Sequence, residues 1–269
     1  MHSHNPGRRR LLVVLVLGLA VGLAPLVGCN GLWDDVTSRE FTFSESFGPS
    51  PDPLVVLRDS KDGDRRHNAL KRLGEIDPRT LPPGESESIL QVLIASAGSE
   101  RHVWARIAAV QALGSWDDPR AVEGLKDAYY RSGNFPGDGG ARLRVTALQS
   151  LGRCSNPTAV EILVKVLSEP PDVGSVTEQQ QKLEERLVAA QSLGRYKSSN
   201  STEALLQVLR KERDPGLRNR SRESLVRITG RDLPPEADVW ERYLRDPGSI
   251  PDKTFGERVM ELIPVGGRR

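Results

Sequence analysis

The sequence predicts an all-α protein, a right-handed α-solenoid of about five helix pairs closed by C-terminal capping helices. A short motif recurs five times: an arginine, two residues, a small residue, three residues, then leucine, usually followed by glycine. Successive glycine positions lie 40, 38, 42 and 32 residues apart. A period near 40 residues is typical of paired-helix solenoids. A second apolar segment accompanies every copy, so each repeat has apolar surface for two helices.

Residues 1–28 have the pattern of a bacterial export signal. Three arginines precede an uncharged apolar run over residues 11–27, which ends in small residues. The last four residues, Leu26-Val27-Gly28-Cys29, resemble the lipobox of bacterial lipoproteins. That resemblance implies that lipid is attached to the Cys29 sulfur and that the chain is cut before this residue. We therefore expect an exported protein, lipid-anchored to a bacterial cell membrane on its periplasmic or outer-membrane-facing side.

Two alternatives to lipidation remain open at this point. The apolar run of about 17 residues could be an uncleaved membrane anchor, although it is at the lower limit of a bilayer span and contains Gly18, Gly22 and Pro25. Cys29 could also follow an ordinary signal peptide by chance. Residues 29–51 are predicted to be a flexible tether, because serine, glycine and proline dilute their apolar residues and no helical period is present.

The residue types of the motif are those expected of a helix that packs against neighbouring helices on two sides. The small residue and the leucine are four positions apart, so they lie on one helical face, and the small residue lets a neighbouring helix approach closely. The glycine is expected to supply either a left-handed residue or a close backbone contact at the helix end. The second apolar segments, which would form the other helix of each pair, are residues 54–57, 89–94, 121–129, 159–167 and 204–209.

The periodic arginines are predicted to be structural. Each stem would pack on an adjacent helix, and each guanidinium would meet a carboxylate or a loop carbonyl of the next repeat. They are Arg66, Arg106, Arg144, Arg186 and Arg218. We call these five residues the motif arginines.

The segments ARIAAVQALGSWDDPRAVEGL and LRVTALQSLGRCSNPTAVEILVKVL look like HEAT repeats, of the short bacterial kind also called PBS-lyase HEAT-like. The resemblance covers residues 52–232 and implies an α-solenoid. It says little about function, because such repeats occur in scaffolds, adaptors and a few enzymes. A coiled coil is the main alternative fold, but the regular glycines and prolines and the absence of heptads argue against it.

Three segments depart from the repeat pattern. Glycine- and proline-rich insertions at residues 131–141 and 168–177 fall between the two helices of the third and fourth repeats, so they would emerge on the same edge. They are either a binding surface or loops that drifted without constraint. Residues 233–269 are predicted to form a cap and a tail, with a capping helix at 235–244 and one more amphipathic helix, or a partner-binding tail, at 254–263.

Composition and motifs give no support for catalysis. The formal net charge of +2 would become −1 on removal of the three N-terminal arginines, which argues against nucleic acid as a partner. The chain has no P-loop, G-x-S-x-G or C-x-x-C motif, and the His-Glu pairs of HEAT-repeat iron hydroxylases do not recur. Cys154 occupies an apolar motif position, so we expect a buried core thiol. We therefore expect no enzyme activity, cofactor or metal.

Two sets of exposed residues are candidate contacts for an unknown protein partner. The first is one polar residue on each second helix, three positions before the glycine, which we call the second-helix row: Lys71, Gln111, Gln149, Gln191 and Glu223. The second belongs to a basic patch in the fifth repeat: Arg213, Arg220 and Arg222. These sets favour a membrane-anchored, non-enzymatic interaction scaffold. The alternatives are a subunit of an enzyme complex related to bilin-lyase-type HEAT proteins, or a binder of an anionic polymer through the basic patch.

Overall fold

The computed structural model describes residues 51–135, 138–170 and 174–249, and within them the chain is all-helical, with eleven α-helices and no strand. Contacts divide the chain into two units, residues 1–52 and 53–269, and every described helix belongs to the second. The predicted signal peptide, Cys29, nearly all of the tether and the predicted 254–263 helix lie outside the described residues. In the described part, no helix has both the length and the apolar character that crossing a membrane requires.

The helices alternate between a first and a second member of each pair. The first helices are α1 (Pro53–Asp59), α3 (Pro83–Ser99), α5 (Pro119–Tyr130), α7 (Ala159–Ser168) and α9 (Ser199–Lys211). The second helices are α2 (Gly63–Gly74), α4 (Val103–Leu113), α6 (Asp138–Leu151), α8 (Val176–Leu193) and α10 (Pro215–Thr229). A final helix, α11, spans Ala237–Arg245, and short 3-10 turns lie at Pro78–Thr80, Arg131–Asn134 and Pro247–Ser249.

The pattern of helix contacts follows the chain order. Within each pair the two helices pack together, and each second helix packs on the second helix of the next pair, from α2 through α10. Among the first helices, α3 packs on α5 and α7 packs on α9. Helix α11 packs on α9. Each described pair therefore builds its core mainly with its neighbours in sequence.

Side-chain caps fix where several of these helices begin. The Asp62 carboxylate accepts hydrogen bonds from the first backbone N–H groups of α2, and Asp214 accepts one from the Leu217 N–H at 2.7 Å in α10. Ser175 and Glu178 form a reciprocal capping box at the start of α8. These caps satisfy N–H groups that have no partner within the helix. Prolines begin α1, α3, α5 and α10, where a missing N–H costs nothing.

The core is built from the motif positions. In all five copies the small residue and the leucine are at most 3% exposed. The residue two positions beyond the glycine also packs inward, with Trp116, Cys154 and Tyr196 buried in the central repeats. The Cys154 thiol is 1% exposed and donates to the Leu151 carbonyl at 3.2 Å, which confirms that it is a core thiol.

The motif glycines act through close contact rather than through a left-handed backbone. Gly114 and Gly194 have φ of −64° and −61°, which any residue can adopt. A Cβ added to Gly152 would instead lie 2.5 Å from Ser192 Oγ, and one added to Gly194 would lie 2.8 Å from the Ser224 side chain. The facing residue is small at all four motif glycines, and the contacting pairs are Gly74–Ala112, Gly114–Ser150, Gly152–Ser192 and Gly194–Ser224. Glycine and its small partner therefore set the separation between successive second helices.

The non-helical parts of the two insertions are shorter than the sequence predicts. Residues 131–134 form a 3-10 turn and α6 begins at Asp138, so the end of the 131–141 segment is helical. Helix α8 begins at Val176, so the end of the 168–177 segment is helical as well. The structure places the two segments between α5 and α6 and between α7 and α8, as expected from the repeat pattern.

Candidate interaction surface

Four of the five motif arginines, all but Arg144, hold together the two helices of their own repeat. Arg66, Arg186 and Arg218 donate to carbonyl oxygens near the end of the preceding first helix: Leu57 at 2.5 Å, Leu167 at 3.1 Å and Leu209 at 2.5 Å, respectively. Arg106 donates to the Gly98 carbonyl at 2.9 Å in the same way. The last carbonyls of an α-helix have no partner within the helix. The arginine side chains therefore supply the donors that these helix ends lack.

The same side chains reach the next repeat. Arg66 pairs with Glu100, Arg144 Nε donates to Glu185 Oε1 at 2.5 Å, and Arg186 Nη2 donates to Glu212 Oε2 at 2.5 Å. Arg218, the last of the series, donates instead to the Pro235 carbonyl at 2.9 Å, just before α11. The prediction that a motif arginine meets a carboxylate of the next repeat is confirmed for Arg66, Arg144 and Arg186. The carbonyl partners, by contrast, lie mostly in the arginine's own repeat.

Arg106 differs from the other motif arginines because it has no acidic partner within hydrogen-bond distance. Its guanidinium carbon lies 4.8 Å from the centre of the Phe135 ring, a cation–π contact to the next repeat. Its Nε and Nη1 atoms are buried without a hydrogen-bond partner among the described residues. Burial is the main reason that the pKa of Arg106 is lowered.

The Arg186–Glu212 pair connects stability to pH. Burial alone would raise the pKa of Glu212, but the Asp214 N–H, the Arg186 guanidinium and the Arg213 N–H together lower it below its ordinary value. A carboxylate with a lowered folded-state pKa stabilises the fold above its unfolded-state pKa, about 4.3. That contribution is lost as the pH falls through the folded-state pKa.

Glu212→Gln is therefore expected to lower the free energy of unfolding at pH 7 by about 1–2 kcal/mol, because a charged acceptor becomes neutral. Urea titrations of both proteins between pH 3 and pH 7 should show the difference shrinking towards acid, where the parent Glu212 is itself protonated. Glu184→Gln, a change to an exposed carboxylate on α8, should leave stability nearly unchanged. A constant difference at every pH would contradict this assignment.

A buried polar network lies at the centre of the stack. The Tyr129 hydroxyl donates to Glu185 Oε2 at 2.7 Å, and the same carboxylate accepts from Arg144. Burial, and then the hydrogen bond to Glu185, raise the pKa of Tyr129. This hydrogen-bonded network joins α5, α6 and α8.

The second-helix row is exposed in every repeat. Lys71, Gln111, Gln149, Gln191 and Glu223 all lie at the surface, one on each second helix. Because these helices pack on one another in order, the five side chains occupy equivalent places on one contiguous face. Glu223 has local partners, since Asn219 Nδ2 donates to it at 2.9 Å and Arg220 lies 3.2 Å away. The row therefore offers mostly amide groups.

The basic patch of the fifth repeat divides into free and engaged residues. Arg213 is exposed, and Arg220 makes only the surface ion pair with Glu223. Arg222 differs, because its Nε donates to the Leu233 carbonyl at 2.7 Å and its Nη2 pairs with Asp232. The sequence offers all three as exposed candidate contacts, but Arg222 is already engaged within the protein. Its side chain attaches α10 to the segment that leads to the cap.

An exposed aromatic at the start of α4 is a feature that sequence reasoning missed. Trp104 is 45% exposed, and the Arg142 guanidinium carbon lies 5.3 Å from its ring centre. Trp104 and Arg142 each lie ten positions before a motif glycine, on successive second helices. This shared distance from the glycine is the sequence signal that could have predicted their proximity. These two side chains extend the exposed face of the row towards the starts of the second helices.

The described ends of the 168–177 segment, residues 168–170 and Val176, line a cavity of about 930 Å³ between α7, α8 and α9. Leu167, Pro170, Val176 and Leu183 supply apolar lining, and Val176 is 72% exposed. Arg186 and Glu212 also line it, but they are paired with each other.

These features describe a surface built on a rigid core, and the residues described in the structure hold no group of three or more histidine, cysteine, aspartate or glutamate residues able to bind a metal ion. The motif arginines and the Tyr129–Glu185 network have structural roles. The second-helix row, Trp104 and parts of the basic patch remain free for contacts. Comparison of the chain with models of known protein families and with curated proteins finds no match.

Proposed function

We propose that this protein is an exported lipoprotein, anchored to a bacterial membrane through Cys29, that acts as a non-enzymatic protein-interaction scaffold. Its described helices would form a right-handed, HEAT-like solenoid over residues 52–232. The observation that carries the scaffold proposal is the second-helix row, exposed at equivalent places on five helices that pack in sequence. Amide side chains can donate and accept at once, which suits a polar protein contact.

The order of helix contacts supports the solenoid part of this proposal. Each pair packs mainly on its neighbours, as in quasi-one-dimensional repeat proteins, which use extended surfaces for binding. The polar networks found in the structure serve the interfaces between repeats. A scaffold role uses the surface that remains, and it needs no group beyond those described.

A photo-crosslinking residue at Gln149 is expected to capture a partner in intact cells. Glu161 is the matched control, since it is exposed on the first helix α7 and lies outside the row. The scaffold proposal predicts one defined crosslinked species from position 149, its loss when Gln111 and Gln191 are both changed to alanine, and none from position 161. Equal crosslinking from both positions, or none from position 149, would contradict it.

Cys29→Ala is expected to abolish lipid labelling, because the thiol is the proposed acyl acceptor. Metabolic labelling with a palmitate analogue, followed by separation of membrane and soluble fractions, measures this directly. Cys154→Ala is the matched control, because its thiol is buried in the core. Lipid labelling that persists in Cys29→Ala would contradict the anchor, as would loss of labelling in Cys154→Ala alone.

A further inference from the structure

A second cavity, of about 380 Å³, lies at the ends of α6 and α8 beside α10. Its lining is Gly152, Arg153, Ser155, Gly194, Arg195, Tyr196, Lys197 and Arg227, which includes four cations and no carboxylate. Over the whole chain the two signs of charge are nearly equal in number, with 38 lysines and arginines against 36 aspartates and glutamates. A cavity lined by one sign of charge is therefore a local exception. We call its four cationic residues, Arg153, Arg195, Lys197 and Arg227, the basic pocket.

The repeat pattern explains how three of these cations come together. Arg153, Arg195 and Arg227 each follow the motif glycine position of their repeat. The helices α6, α8 and α10 pack in order, and packed helix axes are about 8–10 Å apart. The equivalent positions in the first two repeats are Glu75 and Ser115, so the motif itself does not require arginine there.

The pocket cations lack partners that other arginines of the chain have. In the described part of the protein, the side chains of Arg195, Lys197 and Arg227 have no hydrogen-bond or ion-pair partner. Arg153 is held in place, because its Nη2 donates to the Gln111 carbonyl at 3.1 Å and to Ser150 Oγ at 3.0 Å. One arginine is thus fixed, and three cations around it are free to meet a ligand.

The positive charges act on one another. Burial, and then the neighbouring Arg195 charge, lower the pKa of Arg153. All four side chains are solvent-exposed, so their repulsion is moderate, but like charges held close together still produce a local positive potential that attracts anions. An anion with several charged oxygens would relieve this repulsion and accept hydrogen bonds from more than one guanidinium.

We propose that the basic pocket binds a multiply charged phosphate group. Guanidinium groups match phosphate geometry through paired N–H donors, and a diphosphate or triphosphate could reach three cations on neighbouring helices. The ligand is either a free polyphosphate or the headgroup of an anionic phospholipid. This activity goes beyond the proposed scaffold role and does not depend on the lipid anchor or on the second-helix row.

The test compares the full-length parent with Arg195→Gln/Arg227→Gln. Calorimetric titrations with inorganic pyrophosphate and tripolyphosphate are run at matched ionic strength. We expect saturable binding to the parent and an increase of about tenfold or more in the dissociation constant of the variant, because two charged donors are removed. Micelles containing phosphatidic acid, compared with phosphatidylcholine alone, form the second arm. Binding to the micelles identifies a headgroup, binding to tripolyphosphate only identifies a free phosphate, and binding to neither overturns the proposal.

The matched control is Arg213→Gln/Arg220→Gln, which removes the same charge from the fifth repeat outside the pocket. Its dissociation constant should change less than about twofold. An equal loss in both double variants would mean attraction to net charge and would overturn the pocket. Lys197→Gln, a single exposed change, should also weaken binding.

Thermal unfolding of the parent and the double variant without ligand tests whether the pocket cations have a purely structural role. Cations near a helix C-terminus also interact with its partial negative charge. If the pocket is a ligand site, the ligand-free midpoint of Arg195→Gln/Arg227→Gln should equal or exceed that of the parent, because repulsion is relieved. A clearly lower midpoint together with unchanged phosphate affinity would overturn the proposal.

Discussion

Trp240→Ala is expected to lower the free energy of unfolding by about 3–5 kcal/mol. The indole is fully buried, its Nε1 donates to the Pro234 carbonyl at 2.8 Å, and its ring lies edge-on to Tyr243 with centroids 6.4 Å apart. Removing it would leave a large cavity beneath α11. The end of the last repeat would then be poorly covered, and in the proposed solenoid such an exposed end is destabilising.

Leu244→Ala is the matched control on the same helix, since Leu244 is 37% exposed. It should cost less than about 1 kcal/mol. Urea unfolding measures the loss of unfolding free energy in both variants, and hydrogen exchange shows which helices lose protection. Protection should fall first in α9 and α10 and last in α2, because each pair depends on its neighbours. Equal costs for the two variants, or a uniform loss of protection, would contradict a capping role for α11.

Gly152→Ala is expected to destabilise the protein by about 3 kcal/mol. The new Cβ would lie 2.6 Å from Ser192 Cβ and 3.0 Å from Ser192 Cα, and neither atom can move away without shifting α8; Ser192 Oγ, at 2.5 Å, would also have to rotate. Ser192 is itself held, because its hydroxyl donates to the Leu148 carbonyl at 3.0 Å. Helices α6 and α8 would have to separate.

Gly84→Ala provides the matched control, because a Cβ at Gly84 meets nothing within 4 Å. Thermal and urea unfolding should show this variant unchanged or stabilised by up to about 1 kcal/mol, since alanine is the better helix former. Adding Ser192→Gly to Gly152→Ala should recover part of the loss, so the two changes should not be additive. An equal response of the two glycine variants would contradict close helix contact as the reason for glycine.

The repeat pattern predicts most of the local structure. Spacing alone places the small residue and the leucine of each copy in the core, and it places the two helices of each pair around them. The roles of the motif arginines also follow, because a polar residue repeated at one phase of a buried interface needs a regular partner. The all-helical character of the described residues agrees with the predicted fold class.

What the sequence could not supply is the identity of long-range partners. Glu100 and Glu212 lie six positions before a motif arginine, and yet each pairs with the motif arginine of the preceding repeat. Glu185 lies at a different offset, so no single spacing rule finds all three acids. The sequence offers Arg222 as a candidate contact for a partner, but its bonded groups lie in a segment without the motif, which no repeat spacing predicts. The basic pocket likewise becomes visible only when neighbouring second helices are placed side by side.

Each motif glycine contacts a small residue of the next repeat, so one repeat could be added or removed and the same kind of contact would form again. The surfaces that meet at Gly74–Ala112, Gly114–Ser150 and Gly152–Ser192 are close to interchangeable. Duplicating or deleting one whole repeat would rejoin surfaces of the same kind, whereas a cut inside a repeat would not. Gene duplication in units of about 40 residues could therefore lengthen or shorten this protein without a new core, and α11 would still close the last repeat.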